Sequence, residues 1–189
     1  MGLTEDQVFD RKDFSDEALP KGDYELCRFE QCMFGNADLS DYRFIECTFT
    51  DCDLSGVILK GTALQDVTFQ KCKLMGVHFE DAKPFLLQLS FSDCILDLSS
   101  FFRLKLKGTR FSSCRLHEVD FVETELSGAV FEACDLSGAV FENTLLEKAD
   151  FRTAINYSID PEQNYISQAR FALPEVVGLL GRYDIDITQ

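Results

Sequence analysis

Eight cysteines are the first residues here whose type and spacing invite chemistry: Cys27, Cys32, Cys47, Cys52, Cys72, Cys94, Cys114 and Cys134. A zinc centre, a disulfide framework and a reactive thiol are the options. Pairs such as Cys27 with Cys32 and Cys47 with Cys52 leave four residues between thiols, with no His beside them. That spacing opposes a zinc knuckle, where about two residues commonly intervene. The two histidines, His78 and His117, fall beside Phe79 and Leu116 in outward positions. No glycine-rich loop suits a phosphate, because Gly56, Gly61, Gly76, Gly108, Gly128 and Gly138 each stand two places after a large apolar residue, where a chain would turn. Carboxylates abound but share no focus that would let two of them act as acid and base. The expectation is no enzyme, with no catalytic residue, metal, cofactor or small-molecule substrate, and with the cysteines serving as slim core hydrophobes.

The same cysteines reveal the elements that must position everything else. Cys32, Cys52 and Cys72 are twenty apart, as are Cys94, Cys114 and Cys134, and the step between the two sets is twenty-two. Beneath that period lies one of five. Large apolar residues fall at every fifth place from Phe9 through Phe14, Leu19, Tyr24 and Phe29 to Phe79, slip by two after Glu80, then resume at Leu86 and run to Phe151. Five matches neither the 3.6 of a helix nor the 2.0 of a strand, so each unit is a short extended piece plus a turn. The residue two before each large one is often small or slim, as at Ala37, Val57, Val119, Ala139 and all eight cysteines. Four units to a twenty-residue coil make an all-β solenoid of about seven coils, on the order of 33 Å long at roughly 4.8 Å per coil.

Two places depart from the pattern. The slip lies in residues 80 to 90 around Pro84, which cannot donate a ladder hydrogen bond. It reads either as a tolerated kink or as a protrusion offering Pro84 with Phe85 or Leu87 to a partner. After Thr153 the comb stops, dividing the chain into a repeat region, 9–153, and a C-terminal cap and dimerisation segment, 154–189. There Asp160-Pro161-Glu162 reads as a turn, Leu173 to Gly181 as a short helix with Pro174 at its first position, and Tyr183 to Ile187 as a short strand. That segment serves as a lid on the last coil or as a homodimer contact through Val176, Val177, Leu180, Ile185 and Ile187.

Thirty-three acids against 18 bases leave a net charge of −15, which excludes a basic surface for wrapping nucleic acid. No stretch approaches the roughly 18 apolar residues of a membrane span, and the acidic opening after Met1 does not suit a signal peptide, so a cytoplasmic location is expected. From Leu116 to Phe151 nine acids face one base, Lys148, a net of −8. This block is a solvated surface, or a negative one that competes for a groove built to hold DNA phosphates. Under the second reading Glu118, Glu123, Glu132 and Glu142 touch the partner.

Units such as Ala37-Asp38-Leu39-Ser40-Asp41, Cys52-Asp53-Leu54-Ser55-Gly56 and Cys134-Asp135-Leu136-Ser137-Gly138 resemble those of the pentapeptide-repeat proteins. The resemblance implies a right-handed quadrilateral β-helix. The Phe9-Asp10-Arg11-Lys12-Asp13-Phe14-Ser15 opening and the tail from Ile159 look similar to the branch holding the Qnr quinolone-resistance proteins and the microcin B17 immunity protein. That likeness implies a C-terminally joined homodimer, a DNA-like acidic rod, and DNA gyrase or topoisomerase IV as partner. The long loops of plasmid-borne Qnr proteins have no counterpart beyond the slip near Pro84. A scaffold or interaction module with an unrelated protein partner is the alternative.

Overall fold

The computed structural model describes residues 2–183 and 185–188, and it winds them into a quadrilateral β-helix. Every strand pair is parallel, because each coil runs the same way as the one before it. We number the four faces in chain order from the Phe29 column: Phe29 on the first, Phe34 on the second, Leu39 on the third and Phe44 on the fourth. On the first face β2 (Val8–Asp10), β4 (Arg28–Glu30), β6 (Thr48–Thr50), β8 (Val67–Gln70), β9 (Leu89–Ser92), β10 (Arg110–Ser112) and β11 (Val130–Glu132) make one seven-stranded sheet. Phe9 pairs with Phe29, Phe29 with Phe49, Phe49 with Phe69, and Phe69 with Phe91 across the slip. The fourth face holds a second sheet of β1 (Gly2–Glu5), β3 (Gly22–Glu25), β5 (Arg43–Ile45) and β7 (Ala63–Gln65).

Inward residues alternate large and small, and the large ones build the core. Down the first face neighbouring rings lie nearly parallel, Phe91 to Phe111 at 5.2 Å and Phe111 to Phe131 at 5.1 Å. The third face carries a second stack, with Phe79 4.6 Å from Phe101. Across the coil the stacks meet edge to face, as between Phe101 and Phe111 at 81°. Stacking along the axis and edge contacts across it satisfy the ring quadrupoles in both directions.

The small inward position does more than leave room. Its sulfur or hydroxyl donates to a carbonyl of the preceding coil: Cys52 Sγ to Phe29 O at 3.3 Å, Cys134 Sγ to Phe111 O at 3.4 Å, Thr124 Oγ1 to Phe101 O at 2.9 Å and Thr144 Oγ1 to Phe121 O at 2.8 Å. A dry interior therefore tolerates Cys, Ser and Thr at these places because the polar atom finds a backbone carbonyl. All eight cysteines are buried and unbridged.

Most corners lie two residues after a large one and adopt a left-handed backbone. Gly56 and Gly138 supply it freely, with φ of 65° and 70°. Asn36, Asp41, Glu118 and Lys148 adopt the same region without that freedom. Strain at these corners is offset by coil-to-coil hydrogen bonds such as Glu118 N to Ser137 O at 2.9 Å.

Three readings of the sequence need correction. The comb does not resume at Leu86, which is 62% exposed; Leu87 turns partly inward, and the buried phase returns at Leu89 and Phe91. Lys83 N bonds Thr62 O and Gln88 N bonds Leu64 O, so the extra length is ejected between two pinned ends. The fourth-face sheet stops at β7 for this reason, and later coils keep only isolated bridges there.

The coil also outlasts Thr153. Phe171 stacks on Phe151 at 5.4 Å and Arg170 pairs with Asp150, while Tyr157 and Ile159 are buried. The twenty-residue period persists there; Asn156 and Pro161 occupy two comb positions and hide it. Asn164 takes the small inward place, donating to Phe141 O at 2.9 Å. Pro161 begins the expected turn, with Gln163 N on Asp160 O.

Finally, the described residues among 183–187 form no strand. The tail forms two 3-10 turns, Glu175–Leu179 and Gly181–Tyr183, and Ile185 and Ile187 lie exposed with no strand partner, while Asp184 lies outside the described residues. Tyr183 N bonds Leu180 O, which curls this stretch into a turn instead of extending it. No helix among the described residues is long and apolar enough to cross a membrane.

Candidate functional site

The solenoid deals consecutive units to consecutive faces, so acids close in sequence are separated in space. Glu132 stands on the first face and Glu142 on the opposite, third face. Glu118 occupies the corner before the third face and Glu123 the corner after it. The four do not form one patch. Two are also paired: Glu123 takes a bidentate contact from Arg103 at 2.7 and 3.1 Å, and Glu132 lies 3.2 Å from Arg110. Arg103 and Arg110 belong to the basic run just before the acidic block, and coil stacking lays that run against it.

What the fold does gather is an acidic third face. Backbone bridges from His78 to Ser100 to Asp120 to Val140 set one outward column, and Glu80 and Glu142 lie in the column beside it. Glu80, Glu118 and Asp120 border a shallow cleft with His78, Ser100 and Phe102. Glu118, Asp120 and Glu142 make no ion pair among the described residues. Glu80 carries a carboxylate oxygen that is buried without a hydrogen-bond partner, and its other oxygen, 2.9 Å from His78 Nδ1, raises the imidazole pKa. Sequence reasoning overlooked Glu80 because it precedes the slip; counting back twenty-two rather than twenty would have aligned it with the block.

The second face carries a different device. Asp97, mostly buried, accepts Arg115 Nε at 2.8 and 3.0 Å, with a further guanidinium contact at 2.6 Å. Beyond it His117 Nε2 lies 3.0 Å from Asp135, which also accepts Asn156 Nδ2 at 2.9 Å and Ser137 Oγ at 2.7 Å. Burial pushes the Asp135 carboxyl pKa up, but Asn156, His117 and Ser137 together outweigh it and hold the group well below the usual carboxylate range. A depressed folded-state pKa contributes stability that is complete above the unfolded value of about 3.9 and lost as pH falls toward the folded one. Asp135→Asn should therefore flatten the acid limb of the thermal midpoint between about pH 4 and pH 2. A wild-type slope in the variant would contradict this account.

Five residues named as a dimer contact lie in the tail: Val177, Leu180, Ile185 and Ile187 are exposed, and Val176 is half-buried. Two more apolar side chains join them that spacing did not single out, Leu173 at 87% exposure and Tyr183. Leu179 turns the other way and packs on the core. Pro84 and Phe85 project from the fourth face, well apart in sequence and coil from the tail, and Phe85 is 72% exposed.

A family model described as pentapeptide repeat region matches residues 23–84 and 84–151, more than half of the chain. The chain is a pentapeptide-repeat protein. Among solved structures, a trypsin-treated form of QnrB1, a plasmid-mediated fluoroquinolone resistance protein, is 18% identical, covering all of this chain and 92% of that one with a TM-score of 0.57. HetL, a pentapeptide repeat protein involved in heterocyst differentiation regulation from the cyanobacterium Nostoc sp., is 17% identical over 90% of this chain and 86% of that one, with a TM-score of 0.42. No curated protein matches the chain. Likeness at such identity bears on the fold alone, and the QnrB1 match agrees with the right-handed quadrilateral β-helix.

Proposed function

We propose that this pentapeptide-repeat protein is a non-catalytic binder of a type II topoisomerase, DNA gyrase or topoisomerase IV, and offers its acidic third face where DNA would lie. The supporting observation is the set of acids Glu80, Glu118, Asp120 and Glu142, brought to one side of a rigid rod by coil stacking although they span four coils. Negative charge fixed on a stiff frame attracts a basic groove at long range and loses little conformational entropy on docking. The protein acts as a homodimer through the exposed apolar tail, which doubles the length of acidic surface. The choice of partner rests on the resemblance of the Phe9–Ser15 opening and of the tail from Ile159 to the Qnr branch.

Gyrase supercoiling and direct binding, each with and without a fluoroquinolone, test the reading. Wild-type protein should bind gyrase or topoisomerase IV, with affinity falling as salt rises. Replacing Glu118, Asp120 and Glu142 together by Lys should weaken binding by about a hundredfold, since each reversed surface charge near a charged groove costs on the order of 1 kcal/mol. The same change at Glu132, on the opposite face and already paired, should do far less. No binding at micromolar protein would end the proposal, and equal losses from both faces would remove the third face from it.

A further inference from the structure

We propose that the first coil of the solenoid is a strand-docking site, and that its free edge takes an extended, basic protein segment whose alternate side chains are apolar. The inference does not rest on the topoisomerase reading: it concerns the opposite end of the rod from the tail, and backbone pairing. Strands β1 and β2 are the outermost of their sheets, β1 pairing with β3 alone and β2 with β4 alone. Arg28 and Glu30 turn their backbone groups to the first coil, with Arg28 N on Gln7 O and Arg11 N on Glu30 O, both at 2.9 Å. By the same register Val8 and Asp10 turn theirs away from the second coil, toward a side where no described strand lies. The other end of the rod differs: there the tail packs on the last coils, with Ile159 N on Gly178 O at 2.9 Å and Leu179 against the core.

Apolar surface accompanies the free edge. Phe9 is only partly buried, with one parallel ring, Phe29, at 4.8 Å, and Leu3 and Val8 are exposed. Shallow clefts lie between Leu3, Phe9, Pro20 and Tyr24, and between Phe9, Phe14, Ala18 and Pro20. A strand laid beside β2 would set one side chain over Phe9 and turn the residues on either side of it outward. Charge decides the occupant. Arg11 lies 3.5 Å from Asp10, and Lys21 lies 3.7 Å from Asp41. Glu5, Asp6, Asp13, Asp16 and Glu17 are all exposed and have no ion-pair partner among the described residues, which leaves five unpaired acids beside one unpaired base, Lys12. A second copy of this chain arriving edge to edge would set these acids against their own kind, which is how charged edges oppose self-pairing. A segment bearing Lys or Arg on its outward positions meets them with opposite sign while its backbone completes the ladder.

The full-length chain, labelled with nitrogen-15, can be titrated with the synthetic peptide Lys-Val-Lys-Phe-Lys-Val-Lys. Saturable amide shifts should centre on residues 3–13, and the Val8 and Asp10 amides should gain protection from hydrogen exchange when the peptide is bound. The same peptide N-methylated at every residue keeps its charge but has no backbone donor, and it should bind at least about fivefold more weakly, the scale of losing one or more hydrogen bonds. Glu5→Lys with Glu17→Lys should weaken binding of the unmodified peptide at least about tenfold, the scale of two reversed surface charges. Both side chains are exposed, so an unaltered thermal midpoint will show that this variant is folded. Shifts absent up to millimolar peptide, shifts centred on Asp120 and Glu142 of the third face, equal affinity for the N-methylated peptide, or unchanged affinity in the variant would overturn the proposal. Assembly beyond a dimer in place of peptide binding, abolished by Val8→Pro, would overturn it in favour of a second copy.

Discussion

Phe111→Ala should lower the unfolding free energy by about 3–5 kcal/mol, read as a fall in the urea midpoint. The ring is fully buried, stacked between Phe91 and Phe131 at 5.2 and 5.1 Å, and met edge-on by Phe101 and Phe121 at 5.9 and 6.0 Å. Its neighbours belong to coils held rung to rung by backbone hydrogen bonds, such as Ser113 N to Glu132 O at 2.7 Å, so they cannot move in to fill the hole. Phe9 provides the comparison. It lies on the first coil, only partly buried, with a parallel ring on one side at 4.8 Å. Phe9→Ala should cost less than about half as much, because less apolar surface is returned to water. Equal losses at the two positions would mean that stacking along the rod does not govern its stability.

Gly178→Ala should release the tail while leaving the solenoid folded. A Cβ on Gly178 would strike the backbone oxygen of Tyr157 and come within 2.8 Å of its ring, and Gly178 O also accepts Ile159 N at 2.9 Å. Glycine is required there for close approach, not for an unusual φ. Since a backbone atom is the obstacle, the tail must move, and limited proteolysis within residues 173–188 should accelerate by at least about tenfold, equivalent to losing roughly 1.4 kcal/mol of local protection. The far-ultraviolet spectrum of the coil should not change. If the tail joins two chains, light scattering should report monomers both for this variant and for Val177→Glu, which alters only the exposed face. A proteolysis rate equal to wild type would mean that the Tyr157 contact does not hold the tail.

Much of this fold can be read without coordinates, and the reason is repetition. Phe29, Phe49, Phe69, Phe91, Phe111, Phe131 and Phe151 recur every twenty residues, with a single step of twenty-two, and form one stacked column. The eight cysteines fall on the slim inward position because a period of twenty leaves them no other place, and all are buried. Reading failed where the side chain at a comb position is not the one that packs. Leu86 has the right type but sits in the ejected loop, while Leu87 turns only partly inward and Leu89 restores the buried phase. Asn156 and Pro161 have the wrong type, yet Tyr157 and Ile159 bury beside them and the coil proceeds to Phe171. In both cases backbone hydrogen bonds between coils, which leave little mark on residue type, decided the outcome.

The candidate site was less legible than the fold. Nine acids between Leu116 and Phe151 look like one block in the sequence, but winding sends Glu132 and Glu142 to opposite faces and sets Arg103 against Glu123. The chain alone determined the period, the inward residues and the total charge, because these depend on which residues recur and how far apart. Only the tertiary structure decided which charges share a face, which are neutralised and where the apolar loop emerges. Those properties belong to residues about twenty apart in sequence and neighbours in space, a relation that exists only once the coils have stacked.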